Sequence, residues 1–442
     1  MSLAGKVLHE RRLALESVFL VLNAIIWYFL ALLVLEGIAG SESYLQTQLL
    51  WSVHITALAV SLVAGTLLIA KIGRKGLFMF WTLLGVVSPL ALFALNFAPT
   101  IVAFSCSILF AVSIGLGMPN CMEYFVRSTH TGSRGRYAGL ILLLSGIGLF
   151  SLRLIGEGIV ISALVLIVWR ISGLTVTFAS KPFKEERNNK SENLSYSSLF
   201  HQRPFILYII PWIMFSLVDY LSAPVASNIL GQSTFATLNI IESAVSGAAA
   251  IAAGFLIDHF GRKQAAIAGF AMMGLTYAVL GFYPNNTASW YIYTVFDGIT
   301  WGIFGILFIF CIWGELNQNA PTDKYYALGI LPFFISRFIE LTSANYISAS
   351  VDSYTLFSFT AFFLFLAVLP LAYAPETLPE KILKDRDLKN YVEKALKEVQ
   401  KETEKSSKKG SAEPEKKNEE REEGAADSSE YDEAQKLAEK YY

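Results

Sequence analysis

The chain has 442 residues, of which 54% are hydrophobic and only 16% are charged. Soluble domains carry about a quarter charged residues, so this composition excludes an ordinary soluble enzyme, a secreted disulfide scaffold and a nucleic-acid-binding domain. The formal net charge of −1 says little about partners, because the charged residues concentrate in the segment that follows residue 374.

Apolar segments long enough to cross a bilayer recur along the first 374 residues. A bilayer core needs about 20 apolar residues per helix, and backbone polar groups in lipid must be paired within the segment, so these runs predict helices. The sequence predicts an all-α membrane protein with twelve spans, at residues 14–37, 45–69, 76–97, 100–122, 137–156, 158–180, 204–228, 233–257, 264–283, 289–313, 325–348 and 354–374.

Lys and Arg alternate between the predicted loops. The N-terminus and the even-numbered loops are basic, whereas odd-numbered loops such as 41–44, 96–100 and 284–289 contain no Lys or Arg. Basic loops stay in the cytoplasm, so we expect a multi-pass protein of the cell membrane with both termini cytoplasmic.

The predicted spans divide into two sets of six around a polar loop. We expect an N-terminal six-helix bundle at 1–180, a cytoplasmic central loop at 181–203 and a C-terminal six-helix bundle at 204–374. The charged tail at 375–442 is expected to be cytoplasmic, with an amphipathic helix over 381–400 and disorder in its Lys/Glu-rich part.

A repeated motif relates the two halves. Residues 65–75 read GTLLIAKIGRK and residues 254–263 read GFLIDHFGRK, and each stretch closes the second span of its half. Such an internal repeat indicates two related bundles. With twelve spans and a central loop, it resembles the major facilitator superfamily, nearest the branch of sugar and metabolite proton symporters.

The resemblance implies two pseudo-symmetric bundles, alternating access, a small-molecule substrate and a monomer. It also rests on Glu315 at the end of span ten and on Pro375-Glu376-Thr377 after span twelve. Arginines of the repeated loops are expected near glutamates that end spans four and ten, forming a cytoplasmic gate. The expected gate residues are Gly73, Arg74, Lys75, Glu123, Arg134, Asp258, Gly261, Arg262, Lys263 and Glu315. In the first copy of the motif, Ala70 occupies the acidic position.

Ionisable residues inside spans are functional candidates, because each costs about 2.5–3.5 kcal/mol at mid-bilayer. Asp219, Glu242 and Asp297 have no helical neighbour of opposite charge, so we expect them to carry protons. Arg337 and Glu340 are three residues apart, so one interpretation is that they pair with each other. The alternative is that Arg337 binds an anionic substrate or neutralises Asp297 from span ten.

Other polar groups in the spans have two interpretations. His54 is either a proton relay or a packed, hydrogen-bonded side chain. Arg170 either snorkels towards the bilayer surface or touches the transport path. Asn23 and Trp27 in span one either contact the substrate or pack.

The sequence therefore predicts a secondary active transporter for a small polar or charged solute, such as a sugar or organic acid, coupled to protons. Span seven lacks the Gln pair of sugar porters, so the resemblance does not extend to a sugar. The alternatives are an exporter of drugs or organic cations, and a non-transporting sensor that signals through its tail. The three cysteines form no CxxC motif, and we expect no enzyme activity, metal, cofactor or nucleic-acid partner.

Overall fold

A computed structural model describes residues 3–40, 42–153, 158–179, 194–317 and 321–382, and in the tail residues 384, 388, 391–392, 394–398 and 400–401. Contacts divide the chain into two units, Met1–Leu378 and Pro379–Tyr442. Residues 154–157, between predicted spans five and six, most of the predicted central loop and the tail beyond residue 401 lie outside the described residues.

The described part of the chain is helical and contains no strand. Its α-helices are Leu3–Ala39, Tyr44–Val87, Pro99–Gly115, Met118–Ser128, Arg134–Arg153, Ile159–Ala179, Tyr196–Leu199, Arg203–Leu230, Gln232–Phe260, Arg262–Phe282, Thr287–Phe304, Ile312–Glu315, Asp323–Ser350 and Ser353–Tyr373. Two 3-10 helices, Ser88–Ala94 and Thr131–Ser133, and a π-helix, Gly305–Cys311, complete the set. The described residues from 380 to 401 are also helical.

Eleven helical segments of the described residues are long and apolar enough to cross a membrane. One of them, Tyr44–Ala94, has 51 residues, which is about 75 Å of helix and more than twice the thickness of a bilayer core. Its backbone breaks at Gly73, where φ is 71° and ψ is 161°. Because glycine alone adopts this geometry readily, the segment contains spans two and three. The eleven segments thus hold the twelve predicted spans.

Spans four and ten, which correspond in the repeat, are both irregular. Span four is interrupted at Leu116 and Gly117, just before Pro119, which lacks a backbone N–H. A Cβ at Gly117 would lie 2.1 Å from the ring of Trp81, so glycine is needed for this close approach. Span ten contains the π-helix Gly305–Cys311, a feature frequent at functional sites.

The two halves meet through spans five and eight and through spans two and eleven. A Cβ at Gly139 in span five would lie 2.3 Å from the carbonyl oxygen of Ala250 in span eight. The other contact includes a 3.1 Å hydrogen bond from Gln48 to the carbonyl oxygen of Thr342. Adding six to spans five and two gives spans eleven and eight. The two contacts are therefore equivalent, as expected from the internal repeat.

Candidate functional site

A buried carboxylate joins the two halves at the end of the helices that carries loops 73–75 and 261–263, here called the motif end. Glu315, which ends span ten, is 5% exposed. It accepts hydrogen bonds from Arg134 at 2.8 Å, from Arg262 at 3.0 and 3.1 Å and from the hydroxyl of Thr377 at 2.8 Å. Arg134 belongs to the first half and Arg262 to the second, so one carboxylate is shared between them.

Asp258 makes a second connection between the halves. Its carboxylate accepts hydrogen bonds from the backbone N–H groups of Gly135 and Arg136, at 2.9 and 3.0 Å, at the start of span five. It also pairs with Arg262 at 2.9 Å. A negative charge at a helix N-terminus is favourable, because the unpaired N–H groups there carry partial positive charge.

The loop after span eight is held by a residue that sequence reasoning noted without assigning it a role. The Glu376 carboxylate accepts hydrogen bonds from the backbone N–H groups of Arg262 and Lys263, at 2.8 and 3.1 Å. Gly261 has a φ of 103°, and a Cβ there would lie 2.5 Å from that carboxylate. Lys263 donates to the carbonyl oxygen of Ala372 at 2.7 Å.

The first copy of the motif makes a different network. Arg74 pairs with Glu123, which also binds Arg127 at 2.7 Å, so these partners all belong to the first half. Lys75 is exposed, and Ala70 has no carboxylate with which to cap a neighbouring helix. Asp323, which begins span eleven, lies near the charges of Arg74 and Glu123.

Three carboxyl side chains lie together inside the second half. Asp297 in span ten is 2% exposed and lies beside the carboxyl of Glu242 in span eight. Gly298 permits this, because a Cβ there would lie 2.8 Å from the carbonyl oxygen of Glu242. Asp219 in span seven is half-buried and interacts with the charges of both other residues.

Tyrosine hydroxyls connect the carboxyls. Tyr293 lies beside Asp297, and its hydroxyl is 3.2 Å from that of Tyr277. Tyr277 in turn lies beside Asp219 and hydrogen-bonds with Ser222 at 2.7 Å. Sequence reasoning missed both tyrosines, although Tyr293 precedes Asp297 by four residues and therefore shares its helix face.

No Lys, Arg or His of the described residues forms an ion pair with these three carboxyls. One oxygen of Asp297 is buried without a hydrogen-bond partner among the described residues. The second half therefore holds a carboxyl and tyrosine cluster, defined as Asp219, Glu242, Tyr277, Tyr293 and Asp297, with unused hydrogen-bonding capacity.

The Arg337 and Glu340 side chains pair with each other, as one of the two interpretations expected. Arg337 also lies 3.4 Å from Glu36 in span one, and its guanidinium lies 5.8 Å from the centre of the Tyr220 ring. The pair therefore links the two halves towards the end opposite the motif end.

His54 is fully buried and bonded at both ring nitrogens. Its Nδ1 lies 3.0 Å from the carbonyl oxygen of Ser107, and its Nε2 lies 3.0 Å from the hydroxyl of Tyr28. A carbonyl oxygen only accepts, so Nδ1 carries the proton and Nε2 accepts from tyrosine in the neutral ring. This geometry matches the packed interpretation rather than the relay.

Arg170 lies in the interior of the first half, and snorkelling does not describe it. It is 0% exposed, donates to Asn23 at 2.9 Å and lies 4.2 Å from the centre of the Trp81 ring. Its Nε and Nη2 have no partner among the described residues. Asn23 and Trp27 both contact this arginine, Asn23 by accepting its hydrogen bond and Trp27 through its ring.

Comparisons with known proteins identify the family. The model of the Major Facilitator Superfamily matches residues 17–328. A variant of the fucose:proton symporter of E. coli is 12% identical, covers 82% of this chain and 97% of its own, and has a TM-score of 0.66. A proton:xylose symporter is 12% identical, with coverages of 83% and 96% and a TM-score of 0.59.

A human organic anion transporter is also 12% identical, with coverages of 82% and 99% and a TM-score of 0.60. A search of curated proteins finds no match. At such identities the solved structures establish the fold alone, whereas the family match covers most of the chain. This protein belongs to the major facilitator superfamily and is a multi-pass membrane transporter, not an enzyme.

Proposed function

We propose that the protein is a proton-coupled secondary transporter, which moves a small polar or charged solute across the cell membrane by alternating access. The observation that carries this proposal is the carboxyl and tyrosine cluster, in which Asp219, Glu242 and Asp297 lie together without a cationic partner among the described residues. We assign proton binding to these three carboxyls and expect a monomer to be the working unit.

The chemistry of neighbouring carboxyls supports proton binding. Carboxylates held close together in a buried site repel one another, so the proximity of Glu242 and Asp297 favours a proton on one of them. The hydroxyls of Tyr293 and Tyr277 can both donate and accept, which gives the proton a path towards Asp219. Protons can therefore be taken up on one side and released on the other.

The ion network at the motif end supports alternating access. We take the motif end as cytoplasmic, because its loops are basic. Glu315 with Arg134 and Arg262 then forms the cytoplasmic latch, supported by Asp258 at the start of span five. These bonds cross between the bundles, so opening the cytoplasmic side requires them to break.

The opposite end supplies the second gate. There Arg337 and Glu340 in the second half face Glu36 in the first. The Arg337 side chain is 38% exposed. An exposed ion pair is weak, typically worth about 0–1 kcal/mol. The outer contact therefore breaks more easily than the buried latch of Glu315. His54, Asn23 and Trp27 are assigned to the wall that supports this path.

Proton flux in liposomes tests the proposal. Purified protein would be reconstituted with a trapped pH-sensitive dye and exposed to sugars, organic acids, amino acids and organic cations. We expect one class to drive a pH change that Asp219→Asn and Asp297→Asn each lower at least tenfold. Solute uptake without any pH change would contradict proton coupling, and silence from folded protein in every panel would contradict transport of these solutes.

Asp352→Asn is the matched control. Asp352 is exposed and caps the helix Ser353–Tyr373 by accepting from the backbone N–H of Thr355 at 3.0 Å. Asparagine caps helices as well as aspartate does, so the variant removes a carboxylate without disturbing the fold. Its proton flux should equal that of the parent protein.

A further inference from the structure

Arg170 places a positive charge near the middle of a membrane span. It lies nine residues before the end of the helix Ile159–Ala179, which has 21 residues, and its side chain is 0% exposed. A charge at this depth is normally paired with an opposite charge or turned towards water. No Asp or Glu of the described residues forms an ion pair with Arg170, so its charge lacks a partner in that part of the chain.

One edge of the guanidinium group is free. Its Nη1 donates to the amide oxygen of Asn23, a neutral acceptor, at 2.9 Å. Asn23 is itself fixed, because its amide nitrogen donates to the carbonyl oxygen of Trp169 at 2.7 Å. Nε and Nη2 of Arg170 have no partner among the described residues. Their N–H groups lie on the same edge and point in parallel, which is the fork with which arginine binds one anion.

Two tryptophans add further donors. The rings of Trp27 and Trp81 are 0% exposed, and their centres lie 5.6 and 4.2 Å from the Cζ of Arg170. The indole N–H of each also lacks an acceptor in the part of the chain that the structure describes. We call Asn23, Trp27, Trp81 and Arg170 the arginine–indole cluster. Buried donors without an acceptor are rare, and here they surround a positive charge.

Glycines hold the cluster in place and set its size. A Cβ at Gly85 in span three would lie 2.5 Å from the Nε of Arg170. A Cβ at Gly173 in span six would lie 2.3 Å from the amide oxygen of Asn23. These side chains are therefore packed directly against backbone. Such close walls favour a monatomic anion over sulfate or phosphate.

We propose that the first half contains a binding site for a halide ion, such as chloride, at the Nε and Nη2 edge of Arg170. The ion accepts hydrogen bonds from both N–H groups and neutralises the guanidinium. Every residue of the arginine–indole cluster belongs to the first half, so the ion moves with that half. It is a resident counter-ion and not the transported solute.

A halide fits the cluster better than the other small occupants. Water would accept the hydrogen bonds but would leave the charge unbalanced, and a metal cation would be repelled by Arg170. An organic carboxylate would need an opening, whereas all four side chains of the cluster are 0% exposed. A single ion can enter through the local opening motions that occur in folded proteins.

Thermal unfolding in detergent tests the site. The protein would be unfolded in sodium chloride and in sodium gluconate of equal ionic strength, because gluconate is too large for the cluster. A ligand that binds only the folded state stabilises it, so we expect chloride to raise the midpoint by about 2–4 °C. Arg170→Met should unfold at the same temperature in both salts. In gluconate it should be at least as stable as the parent, because it buries no unpaired charge.

Arg203→Gln is the matched control for this experiment. Arg203 begins the helix Arg203–Leu230 and is exposed, so its loss removes a cation without touching the cluster. The variant should keep the full chloride effect. A chloride effect that Arg203→Gln loses, or that Arg170→Met retains, would show that chloride acts on surface charge and would overturn the proposal.

Bromide provides a second readout that needs no variant. A bromide ion bound beside Trp27 and Trp81 quenches their fluorescence by the heavy-atom effect, and the quenching saturates when the site is full. Bromide that only collides with exposed tryptophans quenches without saturation. We expect a saturating component in the parent, which chloride removes by competition. Purely collisional quenching, or equal unfolding midpoints in chloride and gluconate, would assign the free edge to water and overturn the halide site.

Discussion

Glu315→Gln should open the motif end of the transporter. The parent carboxylate, 5% exposed, binds Arg134 and Arg262, and the glutamine leaves both guanidinium groups without their shared charge. Removing one member of a buried ion pair costs about 3–5 kcal/mol. Asp258 continues to pair with Arg262 in the variant, so we expect the closed state to lose a smaller amount, about 2–3 kcal/mol. This energy shifts the equilibrium from the closed to the open state about 30- to 150-fold.

The reporter is a native thiol, Cys311, which is fully buried on the π-helix of span ten beside the same charged groups. Cys106 and Cys121 would first be replaced by alanine, and reaction of Cys311 with a water-soluble maleimide would be timed. Because the thiol reacts only when the motif end is open, Glu315→Gln should raise the rate of reaction by the same 30- to 150-fold.

Glu123→Gln is the matched control for this experiment. Glu123 occupies the equivalent position at the end of span four, and its ion-pair partners, Arg74 and Arg127, belong to its own half. Its loss should leave the reaction of Cys311 near the parent rate. The reasoning is refuted if Glu315→Gln labels no faster than the parent, or if both variants label equally fast.

Three further predictions concern single side chains, and thermal unfolding in detergent measures each. Gly261→Ala should destabilise by about 1–3 kcal/mol, because φ is 103° there; Gly146→Ala, with open space around it, should change little, and equal effects would contradict the argument. Arg170→Met should be neutral or stabilising, since an apolar side chain removes unpaired buried N–H groups; a large loss of stability would show that this charge is needed. His54→Phe should cost about 1–3 kcal/mol by leaving two buried groups unpaired, with transport keeping its pH dependence; an altered dependence would favour the relay.

The number and order of membrane helices could be predicted from the sequence, because bilayer thickness and backbone pairing act on each apolar run separately. The motif residues were also predictable, since glycine at 73 and 261 follows from backbone geometry within a single loop. Asp258 was expected as a gate residue, and the structure shows that it caps span five.

Contacts between spans could not be predicted in the same way. Tyr277 and Tyr293 meet because spans nine and ten pack side by side, and nothing in either span alone specifies that meeting. The sequence left two interpretations of Arg170 for a related reason. A single helix gives no sign that Asn23 and Trp81 surround the guanidinium, so an isolated arginine suggests snorkelling.

Buried charge is distributed unequally between two halves that share one fold. The interior of the first half holds the cation Arg170, whereas the second half holds three carboxyls. Because Gly298 fixes span ten against Glu242, the carboxyls move as one body with the second half. Alternating access then leaves the cluster itself intact and changes only the side of the membrane to which it is exposed. Rocking that separates Arg134 from Glu315 at the motif end brings the two halves together at the other end, and so covers the cluster there. We therefore expect a single motion to break the latch and to seal the proton-binding carboxyls from the outer side.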